Sequence, residues 1–205
     1  MRQALEVAVP PSRHAPAPLP DGPPPVAWAP GPSGIDAFTE ALTALGGSVT
    51  IAGAAGAAAT VRRLVAGRAP VLLGAEPIIG ELELGAELDT MNWPHCGLAA
   101  AATAAVAVVG CRAAIARTGS VVVDARLGRG RAASLLPPAC IYVFRAEQVV
   151  ETPGDVLRHR EQYWPEGPPS QVVLVTGPSR SADIEMTLTR GVHGPGEIHA
   201  VIVTG

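Results

Sequence analysis

Residues 49–74 read VTIAGAAGAAATVRRLVAGRAPVLLG. Val49 to Ala52 is a short apolar strand, Ala55 to Ala66 a helix, and Pro70 to Gly74 a second, buried strand. The middle piece carries Val61, Leu64 and Val65 on one side, at the three- and four-residue spacing of a helix. A strand, a helix and a strand in succession pair in parallel through a right-handed crossover. The expectation is an α/β chain with a parallel-rich central sheet and helices on both faces.

Toward the amino end, Ser33 can cap a helix with Asp36 in its first turn. Phe38, Leu42 and Leu45 share one face of it, and Gly46-Gly47 ends it. Ten of the 21 prolines fall within the first 35 residues. Proline has no backbone N–H to give a helix or a central strand, so residues 1–33 are expected as an extended arm and 34–205 as one α/β domain. Toward the carboxyl end, strands are expected at Val106–Val109, Ser120–Val123, Cys140–Phe144, Gln171–Thr176 and His199–Val203. Helices are expected at Cys111–Ala116, near Gly154–Tyr163 and at Ala182–Arg190. The acidic stretch from Glu76 to His95 shows no dominant period.

Composition narrows the chemistry. Apolar residues make up 48% of the chain but aromatics only 3%, so the core must be built from Val, Leu, Ile and Ala. A net charge of −3 offers no extended surface for nucleic acid or an anionic membrane. All 15 residues of the Lys/Arg class are arginine, which excludes a Walker-type phosphate loop, a Schiff-base enzyme and a lysine base. Cys96, Cys111 and Cys140 have no ligand spacing, and the histidines match no zinc pattern, so no metal site is expected. The apolar stretch 97–110 is too short to span a bilayer, and the amino terminus lacks a secretory signal; the expected location is cytoplasmic.

One stretch concentrates polar groups beside a strand end: QVVLVTGPSRSADIEMTL, from Gln171 to Leu188. A buried strand leaves sharply at Thr176-Gly177-Pro178-Ser179 into a helix with Asp183 and Glu185 in its first turn. Ligands of open parallel sheets gather where loops leave the carboxyl ends of strands, and a helix start there presents unpaired N–H groups. Gly177, Ser179, Arg180 and Ser181 would then bind a carboxylate or phosphate, with Asp183 and Glu185 the candidates for acid–base work. The plainer alternative is that Ser181 caps the helix and the two acids complement its dipole. Thr118-Gly119-Ser120 precedes a strand and is either a turn or the facing wall of the same site. Five arginines lie from Arg112 to Arg131 against Asp124 alone; the acids between Glu76 and Asp89 could pair with them, or Arg129 or Arg131 could close over an anion.

Three blocks carry a family resemblance: VVGCRAAIARTGSVVV (108–123), SLLPPACIYVF (134–144) and TGPSRSADIEMTLTRGVHGPGEIHAVIV (176–203). Together they resemble the LUD-domain family, lactate-utilization protein C type. The resemblance implies a fold similar to the ribose-phosphate isomerase and CoA-transferase superfamily. It also implies a role in oxidising L-lactate to pyruvate beside iron–sulfur oxidoreductase subunits, with the clusters on a partner and no cofactor in this chain. Its matching positions are Thr118, Gly119 and the block from Gly177 to Glu185, whereas Arg112 and Arg117 stand where the family places acids. Two alternatives remain open. One is a stand-alone isomerase, cyclo-ligase or acyl-transfer enzyme on a phosphorylated or CoA-linked substrate; the other is a non-catalytic interaction subunit.

Overall fold

A computed structural model describes residues 34–126, 132–182, 188–190 and 193–205. From the amino end, α1 (Gly34–Ala44) leads to β1 (Ser48–Gly53), α2 (Ala54–Val65) and β2 (Val71–Leu73). The stretch without a period resolves into α3 (Pro77–Glu81), a 3-10 turn at Leu84–Ala86 and β3 (Thr90–Asn92). Next come α4 (Gly97–Ala101), β4 (Val106–Gly110), β5 (Ala113–Ile115) and β6 (Ser120–Asp124). After α5 (Ala132–Leu135) run β7 (Ala139–Arg145), a 3-10 turn at Ala146–Gln148, β8 (Val149–Val150), α6 (Pro153–Arg158) and α7 (Arg160–Tyr163). The chain continues through β9 (Val172–Val175), β10 (Arg180–Ala182), β11 (Leu188–Arg190) and β12 (Glu197–Thr204).

Six strands form a central sheet in the order β1-β12-β7-β4-β2-β3, every neighbour parallel. Its inner strands read as unbroken apolar runs because both faces are covered. On one face, Val61 and Val65 of α2 and Ile79 of α3 pack on Val108, Val143 and Val201. On the other, Phe38 and Leu42 of α1 meet Tyr142, Phe144 and Ile202, with Phe38 and Phe144 edge to face at 5.5 Å. A second sheet, β8-β5-β6-β9, adds Ala114 and Val121 to that same core. Helices thus lie on both faces, as the strand–helix alternation implies.

Two expected helices are strands instead. Cys111–Ala116 contains β5, which pairs with β6 on one side and β8 on the other. Its Ala and Ile side chains are fully buried, and sheet pairing overrides the helix preference of alanine. In place of a helix over Ala182–Arg190, β10 and β11 pair antiparallel, with Arg180 opposite Arg190. The strand at Gln171–Thr176 does form, as β9, but antiparallel to β6 in the small sheet and only partly buried. The expected arm at 1–33, the cap at Ser33 and the loop arginines Arg129 and Arg131 lie outside the described residues.

Candidate functional site

The two segments singled out in sequence do meet. The hydroxyls of Thr118, Ser120 and Thr176 form a chain, with 2.7 Å at each link. Gly119 has a φ of +61°, and a Cβ there would overlap the backbone of Leu42. Gly177 has a φ of +86° and abuts Leu45, whose carbonyl accepts a hydrogen bond from Arg180. Ser179 donates its N–H to Pro195 O at 2.8 Å, and Ser181 lies in β10 opposite Thr189. Asp183 and Glu185 fall outside the described residues.

This junction lies at the end of α1 and the entries to β1 and β12, which is the amino edge of the central sheet. The expected position at the carboxyl edge is therefore corrected. β9 belongs to the small sheet, so its carboxyl end points away from the edge where the parallel strands finish.

The carboxyl edge holds a different group of residues. β2 ends at Gly74-Ala75-Glu76, β4 at Gly110-Cys111-Arg112 and β7 at Arg145, and between them opens a cleft of about 350 Å3. Glu81 of α3, Gln148 and Tyr163 complete its wall. Strand ends converge here because β2, β4 and β7 are parallel and in register, Val71 with Val106 and Gly110 with Val143.

The side chains around the cleft are held from behind. Arg112 Nε donates to Asp124 Oδ2 at 2.7 Å, and Asp124 is 3% exposed. Asp124 also accepts from Trp164 Nε1 at 2.8 Å and from the N–H of Arg126 at 2.7 Å. Gln148 stitches two strand ends together: its Oε1 accepts the N–H of Arg145, and its Nε2 donates to Cys111 O, 2.8 and 2.7 Å respectively. Arg145 itself pairs with Glu81 at 2.5 Å. The acids between Glu76 and Asp89 thus serve Arg145 and, through Glu87, Arg62, while Arg112 takes Asp124.

Glu76 was not singled out by its sequence. It is 5% exposed and sits over two glycines: a Cβ at Gly74 would overlap its carboxyl group, and one at Gly110 would press on its Cβ and Cγ. Its Oε2 is buried without a hydrogen-bond partner among the described residues. Burial pushes its carboxyl above the ordinary value, opposed by backbone N–H bonds at Glu76 and Gly110 and by the charge of Arg112. Beneath it, burial likewise raises the Cys111 and Cys140 thiols, the latter to about 12, and the Tyr142 hydroxyl. A legible signal did exist: Glu76 follows a buried parallel strand by three residues, where such sheets gather ligands.

His199 also goes beyond the sequence reading. Its Nδ1 and Nε2 meet Ser48 Oγ and Thr50 Oγ1 of the neighbouring strand, at 2.5 and 2.9 Å. Burial lowers its pKa. The contact joins β12 to the edge strand β1. Among the described residues no group of His, Cys, Asp and Glu is disposed to hold a metal ion, and no helix is long and apolar enough to cross a membrane.

Comparison with known proteins agrees with this architecture. Lactate utilization protein C of Geobacillus kaustophilus is 33% identical over 165 residues, covering 72% of this chain and 68% of the relative. The protein of that name from Shouchella clausii is 42% identical over 82 residues, 40% of this chain and 36% of the relative. The one from Deinococcus radiodurans is 35% identical over 97 residues, 47% of this chain and 45% of the relative. In the latter two the chain thus spans less than half of the relative's length. A crystal structure of a DUF162 family protein from Deinococcus radiodurans shares the fold, with a TM-score of 0.63 at 23% identity over 83% of this chain and 96% of that one. A family model described as the LUD domain matches residues 35–203, and on that span the chain belongs to the LUD domain family.

Proposed function

We propose that this chain is a component of a lactate-utilization system that binds a small organic or phosphorylated anion and acts beside iron–sulfur partner proteins. The name borne by the relatives supports the system. The observation that carries anion binding is the pair of guanidiniums, Arg112 and Arg145, lining one cleft at the carboxyl ends of parallel strands. Among the described residues each pairs with one carboxylate, Asp124 or Glu81, which leaves a guanidinium fork with further N–H groups to offer an oxyanion. The likeness to ribose-phosphate isomerases and CoA-transferases and the cytoplasmic location belong to the same reading. The alternative of a stand-alone enzyme draws its support from the buried carboxyl of Glu76 in that cleft.

Calorimetric titration of L-lactate, pyruvate and inorganic phosphate tests the anion and its place together. With the anion in the cleft, Arg145→Ala weakens binding about tenfold or more, from the loss of about 1.5–3 kcal/mol of charge-assisted hydrogen bonding. With the anion on the segments around Thr118–Ser120 and Gly177–Ser181, Arg180→Ala produces that loss instead. If neither variant weakens binding, or no anion binds, the reading fails. Co-purification of iron–sulfur proteins with the tagged chain tests the partners.

A further inference from the structure

At the amino edge of the central sheet, opposite the arginine-lined cleft, one histidine rests both of its ring nitrogens on hydroxyls. His199, half-buried near the start of β12, meets Ser48 Oγ through Nδ1 at 2.5 Å and Thr50 Oγ1 through Nε2 at 2.9 Å. The two strands do not depend on this contact, for they already pair in parallel from Ser48 to Gly53. A neutral imidazole has one N–H, so one nitrogen donates and the other accepts. With Thr50 accepting from Nε2, Nδ1 keeps a lone pair directed at the Ser48 hydroxyl. A nucleophile, its base and a group that orients the base are arranged in this way.

Ser48 and His199 open onto a cavity of about 150 Å3, whose wall includes Leu64, Arg68, Ile141, Glu197 and Ile198. Ser48 is exposed, so a solute can reach its hydroxyl, whereas Thr50 is half-buried. Arg68 donates to Glu197 Oε2 at 2.7 Å, which leaves its guanidinium further N–H groups for a carbonyl oxygen that gains negative charge. Leu64, Ile141 and Ile198 make the rest of the wall apolar. The volume suits a short acyl chain and falls below the roughly 300–1,000 Å3 of pockets for larger molecules.

We propose that Ser48 is a nucleophile activated by His199, that this cavity hydrolyses esters of short carboxylic acids, and that Thr50 is the positioning residue for the imidazole. Ser48 Oγ bonds to the carbonyl carbon while its proton passes to His199 Nδ1. The bond from that carbon to the alcohol oxygen breaks, and the oxygen leaves with the electron pair and takes the proton from Nδ1. Water, deprotonated by the same nitrogen, then adds to the acyl carbon and releases the carboxylic acid and free Ser48. Only the ester and water are consumed.

The groups that face His199 keep it a base. Ser48 and Thr50 come from β1, Arg68 from the link after α2, Glu197 from β12 itself and Cys140 from β7. Arg68 and Glu197 pair and cancel, and burial keeps the Cys140 thiol uncharged. Burial also lowers the His199 pKa, so most of the rings are neutral at about pH 7.

Diisopropyl fluorophosphate tests the nucleophile: Ser48 Oγ bonds to phosphorus, fluoride leaves and His199 takes the proton. Peptide mass mapping should find a stoichiometric label on Ser48, formed faster as pH rises through the lowered His199 value and level above it. Ser48→Ala should remove the label, and His199→Gln should slow it about a hundredfold or more. Thr50→Val should slow it as well, with Thr50→Ser restoring the rate. Turnover of p-nitrophenyl acetate should follow the same order, and circular dichroism checks the fold of each variant. If His199→Gln does not fold, the pH profile of the unaltered chain and the Thr50 variants decide. Absence of label from Ser48, a rate that does not change with pH, or full labelling of a folded His199→Gln overturns the proposal. Labelling of Ser48 without turnover of the acetate ester overturns the hydrolysis and keeps the nucleophile.

Discussion

Replacing Asp124 with alanine tests how the cleft is held in place. The carboxylate of Asp124 is wholly buried, and it accepts from Arg112, Trp164 and the N–H of Arg126 at 2.7–2.8 Å. Alanine strands three donors, two of them side chains of different exposure. Trp164 is 6% exposed, so its indole N–H loses its partner in a place water reaches poorly, at a cost of about 1–3 kcal/mol. The Arg112 side chain is 29% exposed and recovers part of its loss by hydration, which keeps its share near 1 kcal/mol or somewhat above it. With the freed backbone N–H the sum is about 3–5 kcal/mol, the range for breaking a buried pair from one side. For a domain of this size that is a fall of about 6–20 °C in the melting temperature. Thermal and urea unfolding followed by circular dichroism measures it. Asp124→Asn, which keeps an acceptor for the indole, should lose less than Asp124→Ala, and a double-mutant cycle with Trp164→Phe should show coupling of about 1 kcal/mol or more. A change within about 0.5 kcal/mol for Asp124→Ala would refute the reasoning, because a buried acid with such partners cannot be a bystander.

Three further outcomes follow from the same geometry. Gly119→Ala forces a side chain into a left-handed φ and against the backbone of α1, so stability in denaturant should fall by about 2–4 kcal/mol. Glu76 has its pKa raised in the folded chain, so its linkage contribution favours folding below the unfolded carboxyl value and is lost as pH rises through the folded one. Glu76→Gln should therefore unfold later than the unaltered chain at neutral pH, with the gap closing in acid; an equal gap at both pH values would contradict a raised pKa. The chain purified alone under anaerobic conditions should contain no stoichiometric iron and should not oxidise lactate with an artificial acceptor, since Cys96, Cys111 and Cys140 have no ligand spacing. A thiolate-to-iron absorption band or turnover would reverse that expectation.

The first two helices and the central strands were legible because their apolar residues recur at helical spacing or in unbroken runs. Phe38 and Leu42 in α1, Val61 and Val65 in α2, and the apolar runs of β4, β7 and β12 state their burial by spacing alone. β5 was not legible, since CRAAIA reads locally as helix and becomes a strand only because β6 and β8 flank it. The antiparallel pairing of β9 was hidden for the same reason, and with it the edge on which the Thr176–Ser181 loop emerges. Thr118, Ser120 and Thr176 were rightly brought together, and their hydroxyls satisfy one another. Glu76 escaped notice because its segment has no period, although the importance of position 112 was visible as a departure in charge.

Arg112 and Asp124 also bear on how a cleft of this shape can change its clientele. With an acid at position 112, two carboxylates would face each other next to the buried Glu76, and only a shared proton or a cation taken from solution could settle them. In this chain the counter-ion is the side chain of Arg112, carried on the link that joins the two sheets and held 2.7 Å from Asp124. One codon therefore separates a pocket that must recruit positive charge from one that arrives already neutralised.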